Sequence, residues 1–440
     1  MLAWAWGGWG MPRPPGARLV REFVRASLYD SAAGYFTRRG GAVVGALPRP
    51  LRFGAFGGEA DYRGALRAAY DALGTSWLTP SEIFRPHYAN ALADTFAAGH
   101  AARRPPPPPL VIYEVGGGTG GVARDVLLRL RERHPDVFRS VRYRAVEVSP
   151  ELAERQAATV AAGGADLSAR FAALVGDATL PETWAGAGGA DARGEECHVF
   201  GLEVLDNLPH DLVRRGPGGA WEEALVAPRA SSPAAAAAPA AAAVAGGAGW
   251  EEVWQPLQDP LVERCLRSFP WGEAAGGSFV DRALRLFLEG ALGPAPAGGR
   301  VFLPTGCLQL LETLCAVRPR HRLLLADFDA LPDTVIPGRN APLVSDTAGG
   351  RARDFGSFLL PYGSADIFFP TDFEALKALH AAAARRAGLA RAGEGLAAEP
   401  QGAFLRRACP EAARAAATRS GFNPLLEDFC NASVFTAGYG

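Results

Sequence analysis

The chain has 440 residues, 48% hydrophobic and 21% charged, long enough for one large domain with added lobes or for two domains sharing an interface. Its 45 basic and 46 acidic residues leave a formal net charge of −1, which excludes a global attraction to nucleic acid or anionic membrane. No apolar run approaches the roughly 20 residues of a membrane span, so no spanning segment is expected.

Lys377 is the only lysine in a chain rich in arginine, alanine, glycine and proline, a bias that reads as codon usage rather than phosphate recognition. The cysteines at 197, 265, 307, 315, 409 and 430 show no CxxC spacing and no partnering histidine cluster. Reduced, mostly buried thiols and no metal are therefore expected. At the start, Arg13, Arg18, Arg21 and Arg25 stand against the single acid Glu22, the acid-poor composition of transit peptides.

Residues 1–104 read as a helical N-terminal region, with a turn at Gly34-Tyr35-Phe36 and a helix opened by Ser81-Glu82-Ile83-Phe84. The prolines at 105–109 form a stiff linker. From Leu110 the pattern alternates: strand to Val115, helix Val122 to Arg133, strand Tyr143 to Val148, helix Glu151 to Ala161. Strands Phe171 to Val175 and Cys197 to Val204 follow. This order predicts a doubly wound, mostly parallel sheet with helices on both faces, over 105–215.

An inserted lobe is expected over 216–300, its first part (216–249) a flexible Gly/Ala/Ser/Pro stretch, with order resuming at Trp250. The remainder of the sheet is assigned to 301–384: helix Pro304 to Val317, strand His321 to Phe328, strand Ala365 to Phe369 and helix Phe373 to Ala383. Residues 385–440 are left as an Ala/Gly linker and a C-terminal segment.

The strongest chemical signal is Glu114-Val115-Gly116-Gly117-Gly118-Thr119-Gly120-Gly121, a glycine-rich turn between a buried strand and a helix, where open α/β sheets bind nucleotides. Gly116, Gly118 and Gly121 fit a dinucleotide GxGxxG; Gly116, Gly118 and Gly120 fit the GxGxG of S-adenosylmethionine enzymes. Three acids decide for the second. Glu114 would repel pyrophosphate but receive a methionine amino group. Glu147, about 30 residues on, ends the second strand and suits ribose hydroxyls, and Asp177 ends the third and suits the adenine amino group. The cofactor expected is S-adenosyl-L-methionine.

The fourth strand runs into Glu203-Val204-Leu205-Asp206-Asn207-Leu208-Pro209-His210, at the end of the sheet that faces the transferable methyl. A guanidinium acceptor carries five donors and needs carboxylates to orient it, roles open to Glu203 and Asp206. Asp206 and Asn207 could instead cap the turn. His210 reads as a plain loop histidine.

These segments resemble the MidA-like family, mitochondrial arginine methyltransferases that assist respiratory complex I assembly. The resemblance rests on Gly34-Tyr35-Phe36, Thr79 to Phe84, Glu114 to Gly120, Val146 to Ser149 and Glu203-x-x-Asp206-x-x-Pro209. Later elements are Leu325 to Phe328, Gly363 to Asp366 with Asp372-Phe373, and Gln401 to Leu405. It covers most of the chain outside the Ala-rich stretches and is nearest to the plant and algal branch. It implies a class I methyltransferase fold with an N-terminal helical region and a lobe inserted after the fourth strand. It also implies a mitochondrial matrix location and a protein substrate, a core subunit of complex I. The chain departs from the family's pattern at Gly117, Thr119, Val204, Leu205 and Asn207, which bears most on the substrate. The competing readings are a non-catalytic assembly scaffold that keeps the fold, and a nicotinamide oxidoreductase that Glu114 disfavours.

Overall fold

The computed structural model describes residues 13–37, 43–73, 77–101, 108–185, 193–229, 249–269, 299–331, 334–348, 351–390 and 393–439. The chain opens with β1 (Arg18–Leu19) and α1 (Val20–Tyr29), whose Val20, Phe23, Val24 and Leu28 share one buried face at helical spacing. Helices α2 (Glu59–Leu73) and α3 (His87–Ala101) follow. The alternating half then comes as β2 (Val111–Val115), α4 (Gly121–Arg133), β3 (Arg142–Glu147), α5 (Pro150–Ala161), β4 (Phe171–Val175) and β5 (Cys197–Leu202).

After β5 the chain leaves the sheet for β6 (Asp211–Arg215), β7 (Trp221–Pro228), β8 (Trp250–Pro256), α6 (Pro260–Arg267) and β9 (Arg300–Leu303). It returns through α7 (Thr305–Val317) and β10 (His321–Phe328). Strands β11 (Leu343–Ala348), β12 (Arg351–Asp354) and β13 (Asp366–Phe368) precede α8 (Phe373–Arg386). The last elements are β14 (Leu396–Pro400), α9 (Gln401–Ala408) and β15 (Ala432–Ala437).

The main sheet has seven strands in the order β14-β15-β10-β5-β2-β3-β4. Strands β10, β5, β2, β3 and β4 are mutually parallel; β15 runs antiparallel to both of its neighbours. This is a mixed, mostly parallel, doubly wound arrangement, as the alternating strands and helices predict. Alternation along β2 builds two cores: Ile112 packs with Phe96 and Leu127 on one face, Tyr113 with Leu311 and Leu379 on the other. Strand order reverses at β2, which places a crevice at the carboxyl ends of β2 and β5. No helix among the described residues is long and apolar enough to cross a membrane.

Four expectations are corrected. Residues 216–229 are not a flexible stretch: Gly216 to Gly219 turn the chain from β6 into β7, with Gly219 at φ 76°, and β7 pairs with β8 on its other side. Residues 230–248 lie outside the described residues. Strand β13 does not complete the main sheet but pairs with β11 in a separate three-stranded sheet. The main sheet is completed by β15 and β14, from the segment read as linker and tail. Finally, the N-terminal region is not only helical, because β1 pairs with β7 and carries α1 onto the inserted sheet. There Phe23 packs edge-on against Trp250, its ring centroid 5.2 Å away.

Candidate functional site

At the carboxyl ends of β2 to β5 lies a cavity of about 190 Å³, walled by the glycine turn, by the ends of all four strands and by α1. Gly118 holds φ at +50°, and a side chain there would meet only Val44 at 3.7 Å, so the bare backbone faces the cavity. Gly120, at φ +81°, caps α4 and does not line the cavity; a Cβ there would lie 2.7 Å from the Gln156 Cα. Its requirement is the close approach of α5. Gly116 is on the wall, as expected.

Glu114 is buried and accepts the Tyr143 hydroxyl at 2.8 Å on one oxygen, while no donor among the described residues reaches the other. Burial pushes its carboxyl up to about 7, against the Tyr143 hydrogen bond and with a contribution from Glu147. Glu147 accepts the Ser149 N–H at 3.0 Å and the Gln156 amide at 2.9 Å, leaving further lone pairs for hydroxyl donors; burial raises its pKa also. Asp177 lines the cavity but is not bare. One oxygen accepts Thr179 N–H and Oγ1, and the other is held by Arg25 at 2.5 Å.

Beyond β5, Glu203 adopts φ +53°, one of two non-glycine residues with positive φ among those described, and so ends the strand two residues earlier than the pattern suggested. Glu203 lines the cavity, its carboxyl without a donor among the described residues, and burial and the charge of Asp327 raise its pKa well above the usual carboxylate value. Asp327 fixes this turn: one oxygen accepts the N–H groups of Val204, Leu205 and Asp206 at 3.1, 2.8 and 3.2 Å, the other that of Phe328 at 2.7 Å.

Asp206 sits behind the wall rather than on it, with Oδ1 buried and unpartnered. Burial raises the pKa of both Asp206 and Asp327, and the charge of Asp327 adds to the rise at Asp206, while four N–H donors oppose it at Asp327. Asn207 reaches the cavity and donates to Asp366, itself pushed up to about 7 by burial. His210 stacks on Phe369 at 3.8 Å and is held neutral by burial, its pKa near 4, away from the cavity.

A cavity with bare backbone at one turn, a buried acid beside it that keeps one oxygen without a donor among the described residues, and a second acid at the next strand end fits a ligand carrying an ammonium group and vicinal hydroxyls. S-adenosylmethionine is such a molecule. A family model described as "Putative S-adenosyl-L-methionine-dependent methyltransferase" matches residues 91–392. The chain belongs to this family. Its cofactor is accordingly S-adenosyl-L-methionine.

Among solved structures, a COG1565 superfamily member from Burkholderia thailandensis bound to S-adenosyl-homocysteine shares 21% identity at a TM-score of 0.60, over 96% of this chain and 87% of that one. A second crystal structure, of a COG1565 superfamily protein from the same organism, gives 19% and 0.56 over the same shares. Both likenesses establish the fold. No curated protein matches the chain.

Several residues of this methyltransferase's cavity carried no expectation. Arg25, Tyr29 and Phe36 come from the N-terminal region, which α1 swings over the strand ends, and Tyr29 donates to the Asn207 carbonyl at 3.2 Å. Glu82 lines the cavity from the helical turn capped by Thr79; it accepts Arg85 at 2.8 Å and the Leu47 N–H at 2.7 Å. The helix start at Ser81 to Phe84 was visible, but nothing in the sequence tied that turn to the glycine loop.

Proposed function

We propose that this methyltransferase acts on the guanidinium of a protein arginine, with Glu203 as the group that binds and orients it. The observation that carries the reading is Glu203, which a left-handed backbone places on the wall of the cofactor cavity with no partner among the described residues. A half-buried acid of that kind is stabilised by a cationic partner. When bound, the cofactor supplies an electrophilic methyl on a sulfonium. Two oxygens of Glu203 match two guanidinium N–H groups, which would point a third nitrogen at the methyl.

As the new N–C bond forms, the substituted nitrogen must give up a proton. Glu203, ionised when it binds the cation and with a raised pKa that suits a base, accepts the proton that the guanidinium releases through an N–H it already holds. Asp327 acts through the backbone it holds rather than by contact. Asp206, assigned with Glu203 from the sequence, contributes as a neutral neighbour behind the turn.

The resemblance to MidA-like proteins supports the finer assignment: a mitochondrial matrix enzyme whose substrate is a core subunit of respiratory complex I. The test is transfer of labelled methyl from S-adenosylmethionine to isolated complex I subunits, followed by mass spectrometry of the modified residue. Wild type is expected to label an arginine, and Glu203→Gln to lose turnover while binding cofactor normally. Label on lysine or on a carboxylate, or full activity in Glu203→Gln, overturns the reading.

A further inference from the structure

We infer a metal site, separate from the cofactor cavity, formed by Cys315, His321 and His380 and suited to Zn²⁺. One ligand atom from each of the three lies within 4.8 Å of the others. Linear spacing hides the group: Cys315 closes α7, His321 opens β10, and His380 comes from the middle of α8. Packing of the two helices against the sheet brings them together.

Hydrogen bonding separates this group from a set of ordinary core side chains. His380 is 8% exposed, and neither ring nitrogen has a partner. A buried imidazole always has one N–H and one lone pair to satisfy, and leaving both unmet is costly. His321 is arranged differently: its Nδ1 lies 2.6 Å from the Arg318 carbonyl, which places the proton there and the lone pair on Nε2. A backbone carbonyl on the far nitrogen is the usual outer partner of a zinc-bound histidine. Cys315, 1% exposed, supplies the thiol, which gives its proton to solvent as the sulfur–metal bond forms.

One sulfur and two nitrogens suit a tetrahedral d¹⁰ ion, whose ligand atoms lie about 3.3 to 3.6 Å apart given ordinary Zn–N and Zn–S bonds. The observed group, within 4.8 Å, would contract toward that size on binding the ion. The fourth position is left to water, reachable beside the half-buried His321. His321 stands at the amino end of β10 and Asp327 near its carboxyl end, six residues on, a separation of about 20 Å. The ion therefore clamps α7, β10 and α8 and takes no part in methyl transfer.

The test uses the full chain with Cys430→Ser, which removes the one exposed thiol. Apo protein is titrated with Zn²⁺ against a chromogenic chelator, and Co²⁺ is added separately to read tetrahedral absorption with thiolate charge transfer. One equivalent of zinc, the thiolate band and a higher thermal midpoint with zinc are expected. Cys315→Ser should lose the thiolate band. His380→Phe should lose at least a hundredfold in zinc affinity while keeping wild-type cofactor affinity, which reports its fold. Zinc binding undiminished in His380→Phe, or no stoichiometric zinc in the parent protein, overturns the site.

Discussion

Arg25 of the N-terminal helix holds Asp177 at the end of β4, Nη1 to Oδ2 at 2.5 Å, across 152 residues of sequence. The same guanidinium reaches Thr179 and Gln309. The N-terminal helix α1 is thereby locked onto the third strand end of the cofactor site. Both groups keep roughly a third of their exposure, so the pair itself is worth about 1 kcal/mol at most.

Replacing Arg25 by Met should therefore leave the thermal midpoint nearly unchanged and weaken S-adenosylmethionine by roughly fivefold in calorimetric titration. The loss would come from loosening the wall that carries Tyr29. Tighter binding in the variant would mean that Arg25 competes with the adenine amino group for Asp177, and the wall assignment would fall.

Glu114 sets the pH dependence. Its carboxyl titrates at about 7 in the folded chain and near 4.5 when unfolded. Below 7 it carries a proton and cannot attract the cofactor's ammonium, so affinity should fall toward acid, by up to about tenfold per pH unit between 7 and 5.5. The sign for folding is the reverse. An acid with a raised folded pKa contributes most below its unfolded value and loses that contribution as pH rises through 7. Glu114→Gln should accordingly stabilise the apo chain at pH 8 by on the order of 3 kcal/mol and flatten the affinity profile. A profile with the same slope in the variant would assign the titration to another group.

Gly118→Val is the sharpest test of the glycine turn. A β-branched residue at φ +50° costs about 1 to 2 kcal/mol in folding, and its side chain would project into the cavity. Binding weakened by tenfold or more, with the circular dichroism spectrum intact, is the expected result. Unchanged affinity would place the cofactor away from this turn. Gly120→Ala separates the two glycines: it should lower stability through Gln156 more than it lowers affinity.

These contrasts show what the sequence could disclose. The glycine turn, Glu114 and Glu147 were legible because strand, turn and acid are contiguous, and local order alone carries them to one sheet edge. The inserted hairpin was hidden because Gly216 to Ala220 resembles the Ala/Gly run that follows, so low complexity seemed to begin before β7. Strands β14 and β15 were missed for another reason. Strand β14 is half-exposed, and β15, although mostly buried, carries only Val434 and Phe435 as large apolar side chains. Asp327, Arg25 and the Cys315 group depend on packing across tens to hundreds of residues, for which a single sequence holds no spacing rule.

Asp327→Asn tests whether the Glu203 turn is held as described. An asparagine offers one acceptor oxygen and one NH₂, and both carboxylate oxygens now receive backbone N–H groups. Whichever way the amide faces, donors would oppose donors, at a cost of about 1 to 3 kcal/mol in stability. Glu203 would then lose its fixed position. A displacement near 1 Å at a reacting group is enough for about a hundredfold loss of rate, so kcat should fall by that order while cofactor affinity changes little. Single-turnover transfer and calorimetry on the same preparation separate the two. A variant that is less stable but turns over at the wild-type rate would show that the Asp327 contacts serve the fold alone.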